Sequence, residues 1–346
     1  MPRTDVLAYP YAIARARAII GNLFKIEDYH ALLGCSKPVH VIDVLTQTGY
    51  REHLKVGATP PDFSFVRQII LDSFVGSLEH TISSTPKSAA PLLMAYRELL
   101  ESWSIVNALR TSLFHGSFIM ESQIIPCGAI ERSFYEMLSG DLAKPVSLIS
   151  RREAFREAAM HIKSAIETNR LGPLFGILKS PLDNCSKAIL LLPSNEKEVS
   201  SKLSYLHGDL GNILILYDCV RRQAEPEDAS SWLLKKTYGL PKDVLDRSIL
   251  SRNLEQLTRL LMSTEFGKYL SHMPANGSVD EFLEKLKLDV LRDKSRIALA
   301  GYPFRAATIM AALNLRFIEV ANVILCLEAV EGIISAQNAL KHIVVP

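Results

Sequence analysis

The sequence predicts an all-α protein built from three similar helical units. Three observations lead there. Stretch after stretch repeats apolar residues at helical spacing, runs with the period-two alternation of strands are nearly absent, and the chain resembles itself at intervals of about 105 to 111 residues. The length of 346 residues is enough to bury a sizeable core.

In order along the chain, Leu7 to Lys25 carries Tyr11, Ile13, Ala14, Ala18, Ile19 and Leu23 on one face, with Arg15 and Arg17 interleaved, and reads as the first helix. Glu27 to Leu33 and Val39 to Leu54 follow, separated by Gly34 and Pro38. After Thr59-Pro-Pro-Asp62, helical spacing resumes over Phe63 to Thr81, and a long helix is expected over Ser88 to Leu113, where Leu92, Tyr96, Leu99, Trp103 and Val106 step by three and four. Ser117 to Cys127 reads as an extended loop. Further helices are expected over Ile130 to Leu138, Arg151 to Asn169, Glu198 to Gln223, Ser231 to Tyr238, Val244 to Leu270 and Val279 to Leu291, and then as an apolar pair over Arg305 to Leu340. Pro173, Pro181 and Pro193 punctuate the stretch between the second and third of these.

The self-similarity has two rulers. Asn107, Asn212 and Asn322 are each flanked by aliphatic residues, with Ser104, Asp209 and Glu319 three positions earlier, and lie 105 and 110 positions apart. Upstream, the aromatic residues Tyr50, Phe155 and Phe266 lie 105 and 111 apart. The aromatic-to-Asn distance is 57, 57 and 56, so whole units recur, with boundaries expected at 1–115, 116–224 and 225–346. The Asn and the residue three before it share a helix face, and a buried Asn needs partners; the expectation is that these pairs fix how each long helix docks and touch no ligand.

Composition excludes several classes of function. The formal charge of +2 supplies no field for holding nucleic acid. Cys35, Cys127, Cys185, Cys219 and Cys326 are an odd number with no CxxC pair, and with no apolar leader at the start they read as reduced cytoplasmic thiols. The apolar stretches at 188–193 and 320–334 are too short or too charged to span a membrane. The nine histidines show no HxxxH or HExxH spacing. No metal, cofactor or catalytic set is expected.

One motif does suggest chemistry. His207-Gly-Asp209-Leu-Gly-Asn212 looks like the catalytic loop of small-molecule phosphotransferases, where Asp orients the acceptor hydroxyl and Asn holds Mg²⁺. Against it, only Leu210 and Gly211 separate Asp209 from Asn212, which suits a continuing helix, and no Gly-rich phosphate cradle or β-rich lobe precedes it. The equivalence of Asp209 with Ser104 and Glu319 favours a repeat position.

The residues also resemble a known family. Tyr11-Ala-Ile-Ala-Arg15-Ala-Arg17 is similar to the opening Tyr-x-x-Ala-Arg-x-Arg helix of the C subunit of archaeal-type and V-type rotary ATPases, the counterpart of the eukaryotic d subunit. Leu45-Thr-Gln-Thr48-Gly-Tyr50 is similar to its Leu-x-x-Thr-x-Tyr turn, and Leu315-Arg-Phe-Ile-Glu319-Val-Ala-Asn322 to its Glu-x-x-Asn segment. Two departures are the Val323-Ile324 that stands where the family usually has Leu-Arg, and a middle copy with no basic residue until Arg221. The resemblance implies a non-catalytic, funnel-like protein of pseudo-threefold symmetry. It would sit peripherally on the cytoplasmic face of the membrane, on the proteolipid ring and not inserted itself, receive the central shaft of the soluble ATPase head, and transmit rotation for ion transport and ATP synthesis. Arg15 and Arg17 are the candidate interface residues. A generic α-helical adaptor of the same build, and the phosphotransferase, stand as alternatives.

Overall fold

In a computed structural model, which describes residues 9–54, 61–114, 121–138, 143–273 and 279–346, the protein is helical and has no strand among those residues. The contacts divide it into two compact units. The first holds the described residues of Met1–Ala90, Met120–Cys127 and Leu291–Pro346, and the second those of Pro91–Ile119 and Gly128–Val290. The boundary at 115/116 and the Phe118-Ile-Met part of the expected loop lie outside the described residues.

In the first unit, α1 (Tyr9–Gly21), α2 (Ile26–Leu33), α3 (Pro38–Thr46) and α4 (Phe63–Ser83) form the N-terminal group. Asp62 caps α4 by accepting from the Phe65 amide at 2.7 Å. The helix expected over Val39 to Leu54 stops at Thr46, because the Thr48 hydroxyl donates to the Leu45 carbonyl at 2.7 Å and turns the chain.

The rest of the second unit runs through α5 (Ala90–Leu113), α6 (Arg132–Met137), α7 (Ala143–Ser150), α8 (Ala158–Thr168), a 3₁₀ stretch at Gly172–Leu178, α9 (Lys179–Leu190) and α10 (Ser194–Arg221). It continues with α11 (Pro226–Trp232), α12 (Lys242–Ser248), α13 (Leu254–Leu261), the short α14 (Gly267–Leu270) and most of α15 (Val279–Leu299). The expected helix over Ser231 to Tyr238 is absent: α11 ends at Trp232 and the main chain runs on in a non-helical path. The single helix expected over Val244 to Leu270 is three, interrupted after Ser248, where Asn253 then caps α13.

The first unit is completed by α16 (Ala306–Val330) and α17 (Ala336–His342). Helix α16 is apolar on all faces and is buried along its length; by length and composition it could cross a membrane, but here it forms the axis of a core, with α1, α2, α4 and α17 packed around it. The first unit therefore joins the N-terminal helices to the last long helix of the chain.

Helix α10 plays the same part in the second unit, buried from Leu206 to Cys219. Its glycines set how closely the chain approaches. A Cβ at Gly208 would stand 1.9 Å from the Lys236 carbonyl oxygen, and one at Gly211 would stand 2.7 Å from Leu234 Cδ1. A main-chain oxygen cannot swing aside as a side-chain tip can. Gly208→Ala should therefore destabilise the protein by about 3 kcal/mol or more, the upper range for overpacking, whereas Gly211→Ala, which meets a movable Leu side chain, should cost less. Denaturant unfolding of the two variants checks the order.

Candidate functional site

The residues singled out by the repeat converge on the buried long helices. Asn107, Asn212, Asn322, Asp209 and Glu319 are each at most 1% exposed.

On α10, Asn212 grips the non-helical segment that follows α11. Its Nδ2 donates to the Leu234 carbonyl at 2.9 Å and its Oδ1 accepts from the Leu234 amide at 2.7 Å, so one side chain replaces the two partners that a neighbouring backbone would have given. One turn earlier, Asp209 accepts from the amides of Tyr238, Gly239 and Leu240 at 2.8–3.2 Å. The two glycines give the segment room and the two polar residues hold it.

Helix α16 repeats the device. Asn322 donates to the Val344 carbonyl at 2.8 Å and accepts from the Val344 amide at 3.2 Å; Nδ2 also donates to Tyr29 Oη at 3.2 Å. In both helices the gripped residue lies 22 positions after the Asn. Glu319 accepts from the Phe24 amide at 2.9 Å, as Asp209 does from Leu240. Glu319 also pairs with Arg316, whose guanidinium stacks 4.3 Å from the Tyr50 ring centroid and donates to Ser73 Oγ at 2.9 Å. For Asn107, on α5, the placement is buried and equivalent in sequence only.

The aromatic positions Tyr50, Phe155 and Phe266 are all buried, each inside a short turn. The amides of Arg51, Arg156 and Gly267 bond back to the carbonyls of Thr48, Glu153 and Thr264. In the first and third turns the Thr hydroxyl also donates to a Leu carbonyl, Leu45 or Leu261, at 2.6–2.7 Å. Arg15 is half-buried and Arg17 exposed on α1.

The motif that resembled a catalytic loop is thus wholly engaged. His207 accepts from Trp103 Nε1 at Nδ1, 2.8 Å away, which leaves Nε2 as the protonated nitrogen facing Tyr96 Oη at 3.0 Å. Burial, with Lys287 near, pushes the imidazole down to about 3, so it stays neutral. Asp209 and Asn212 face backbone, and the phosphotransferase reading is not favoured. Among the described residues no group of three His, Cys, Asp or Glu is arranged to hold a metal ion.

Two features escaped the sequence reading. Arg316, one turn before Glu319, completes the α16 cluster and was signalled only by its i, i+3 spacing. A buried triad, Arg110 to Glu284 at 2.6 Å and Lys287 to Glu284 at 2.8 Å, joins α5 to α15 within the second unit. Burial alone would raise the Glu284 carboxyl, but Lys287 and Arg110 together hold it down to about 2.

The fold and these clusters define a class: a helical protein whose recurring polar positions act on its own main chain. Its family follows from comparison. The chain matches the model of the ATP synthase (C/AC39) subunit over residues 12–339, and it belongs to that family. Members are subunits of V/A-type rotary ATPases, membrane-associated complexes, so the chain is one component among partner subunits. No curated protein matches it significantly.

Two outcomes follow from the buried polar groups. Asn322→Ala strands the Val344 amide and carbonyl inside the first unit and should cost about 3 kcal/mol in denaturant unfolding, against at most about 0.5 for an exposed control such as Arg17→Ala. Asp209 gives a pH signature. Burial raises its carboxyl to about 7 against the pull of three amides. The folded state then holds a proton that the unfolded state releases between about pH 4 and 7, so the contribution of this group to stability is present below pH 4 and is lost as pH rises to about 7. Stability of the wild type relative to Asp209→Asn should fall by a few kcal/mol over that window and level off above it.

Proposed function

We propose that this protein is the central-stalk connector of its rotary ATPase, seated on the cytoplasmic face of the membrane between the shaft of the soluble head and the proteolipid ring, and transmitting rotation without chemistry of its own. The family assignment supports the complex; the observation that carries the connector role is that every polar residue of the repeat whose partners are described is spent on holding helices and main chain together. A part that passes torque must resist shear between its helices. Paired amide clasps and charge-matched clusters, buried where water cannot compete, supply that stiffness.

In this reading the chain is three repeated units, 1–115, 116–224 and 225–346, of pseudo-threefold, funnel-like arrangement. Support comes from the equivalent bonds of Asp209 to Leu240 and Glu319 to Phe24, 216 positions apart at the receiving end, and from the three matching turns at the aromatic residues. Association with the membrane would run through the ring. The exposed Arg17 on α1 is available to a partner surface.

The test is association. The purified chain should co-migrate with shaft subunits or with the proteolipid ring in mild detergent. If it binds neither, the connector role is lost. A generic adaptor would bind other helical partners and leave both of these alone.

A further inference from the structure

We propose that the first unit carries a binding cleft for a small oxyanion, a phosphate or carboxylate group on a small molecule, centred on Arg15. The cleft, open to solvent on one side, holds about 250 Å³ between α1, the turn after α3 and α4, with Arg316 of α16 in its lining. That volume holds an oxyanion with a few further atoms attached. Small residues keep it open: Gly49 lies so close to Asn22 that a Cβ on it would stand 3.1 Å from the Asn22 Cβ, and Gly76 contributes no side chain.

Arg15 is the arginine of the lining that no carboxylate matches among the described residues. Its Nη2 donates to Tyr11 Oη at 2.6 Å and its guanidinium carbon lies 4.8 Å from the Tyr11 ring centroid, so the side chain is held in place. Its Nε is buried out of reach of solvent, and no carboxylate pairs with the guanidinium among the described residues. A guanidinium held in place with no carboxylate against it is a good anion receptor, since an incoming anion does not first have to displace a salt bridge.

The surroundings match. Arg316 in the lining is already matched by Glu319, so it adds a fixed donor surface without demanding a second counter-charge. Asn22 and His80 line the walls and can donate, whereas the Ser77 hydroxyl already donates to the Ser73 carbonyl at 2.8 Å. Glu52 is the one carboxylate in the lining and opposes an anion. That opposition gives the site a sign that substitution can read. The cleft is separate from the exposed Arg17, so this inference goes beyond the connector role and does not depend on it.

The experiment is isothermal titration of the full chain with sodium phosphate and, separately, with sodium citrate, at constant ionic strength against a chloride blank. Saturable one-site binding of at least one is expected. Arg15→Ala should weaken it by about tenfold or more with the helical circular dichroism unchanged, Arg15→Lys should weaken it less, and Glu52→Gln should tighten it by several-fold. Phosphate alone or citrate alone would assign the site to that class. No saturable heat with either anion, or binding equal in wild type and Arg15→Ala, would overturn the proposal whatever the outcome of the co-migration test.

Discussion

The structure depends on satisfying backbone that is buried without being helical. The segment at 234–240 and the tail at Val344 run beside the buried stretches of α10 and α16, where an unpaired amide or carbonyl costs on the order of 1–3 kcal/mol. Neither has a neighbouring strand to pair with. The solution in both units is a helix that offers an amide side chain and, one turn earlier, a carboxylate: Asn212 with Asp209, and Asn322 with Glu319. The rest of α16, and of α10 between Leu206 and Cys219, is then free to be mainly apolar.

Much of this was legible in the sequence, for a physical reason. The Asn positions and the residues three before them stood out because a polar pair at helical spacing inside an aliphatic run has to be either catalytic or internally bonded. Helix placement was readable wherever apolar periodicity was sustained, as for α5, α10 and α16. It failed where side chains override local propensity. Ser231 to Tyr238 reads helical by composition, yet the amides of Leu234 and Tyr238 are claimed by Asn212 and Asp209; Thr48 ends a helix that the apolar pattern would have continued. The stretch at Lys179–Leu190 forms a helix despite the Pro181 that punctuates it, because this proline falls in the first turn, where a missing amide costs nothing.

The resemblance to a catalytic loop shows how one local pattern serves two ends. His-Gly-Asp-Leu-Gly-Asn needs small residues and paired polar ones for a phosphate site, and it needs the same residues to let a chain segment lie across a helix. What separates the two is exposure: in α10 the side chains that would meet a substrate meet Leu234, Leu240 and Trp103. Arg15, by contrast, was readable only as one of two arginines on an amphipathic helix, since the burial of its Nε is a fact of packing.

The first unit unites residues from the two ends of the chain, with Phe24 bonded to Glu319 across 295 positions. Synthesis proceeds from the N-terminus, so α1 to α4 leave the ribosome long before α16 exists to fill their core. Until then those helices expose the apolar faces that α16 will cover, while the second unit has all of its sequence before Leu291. Completion of the two units is thus ordered by chain position: the second can settle early, and the first, which holds α1 to α4, must wait for α16.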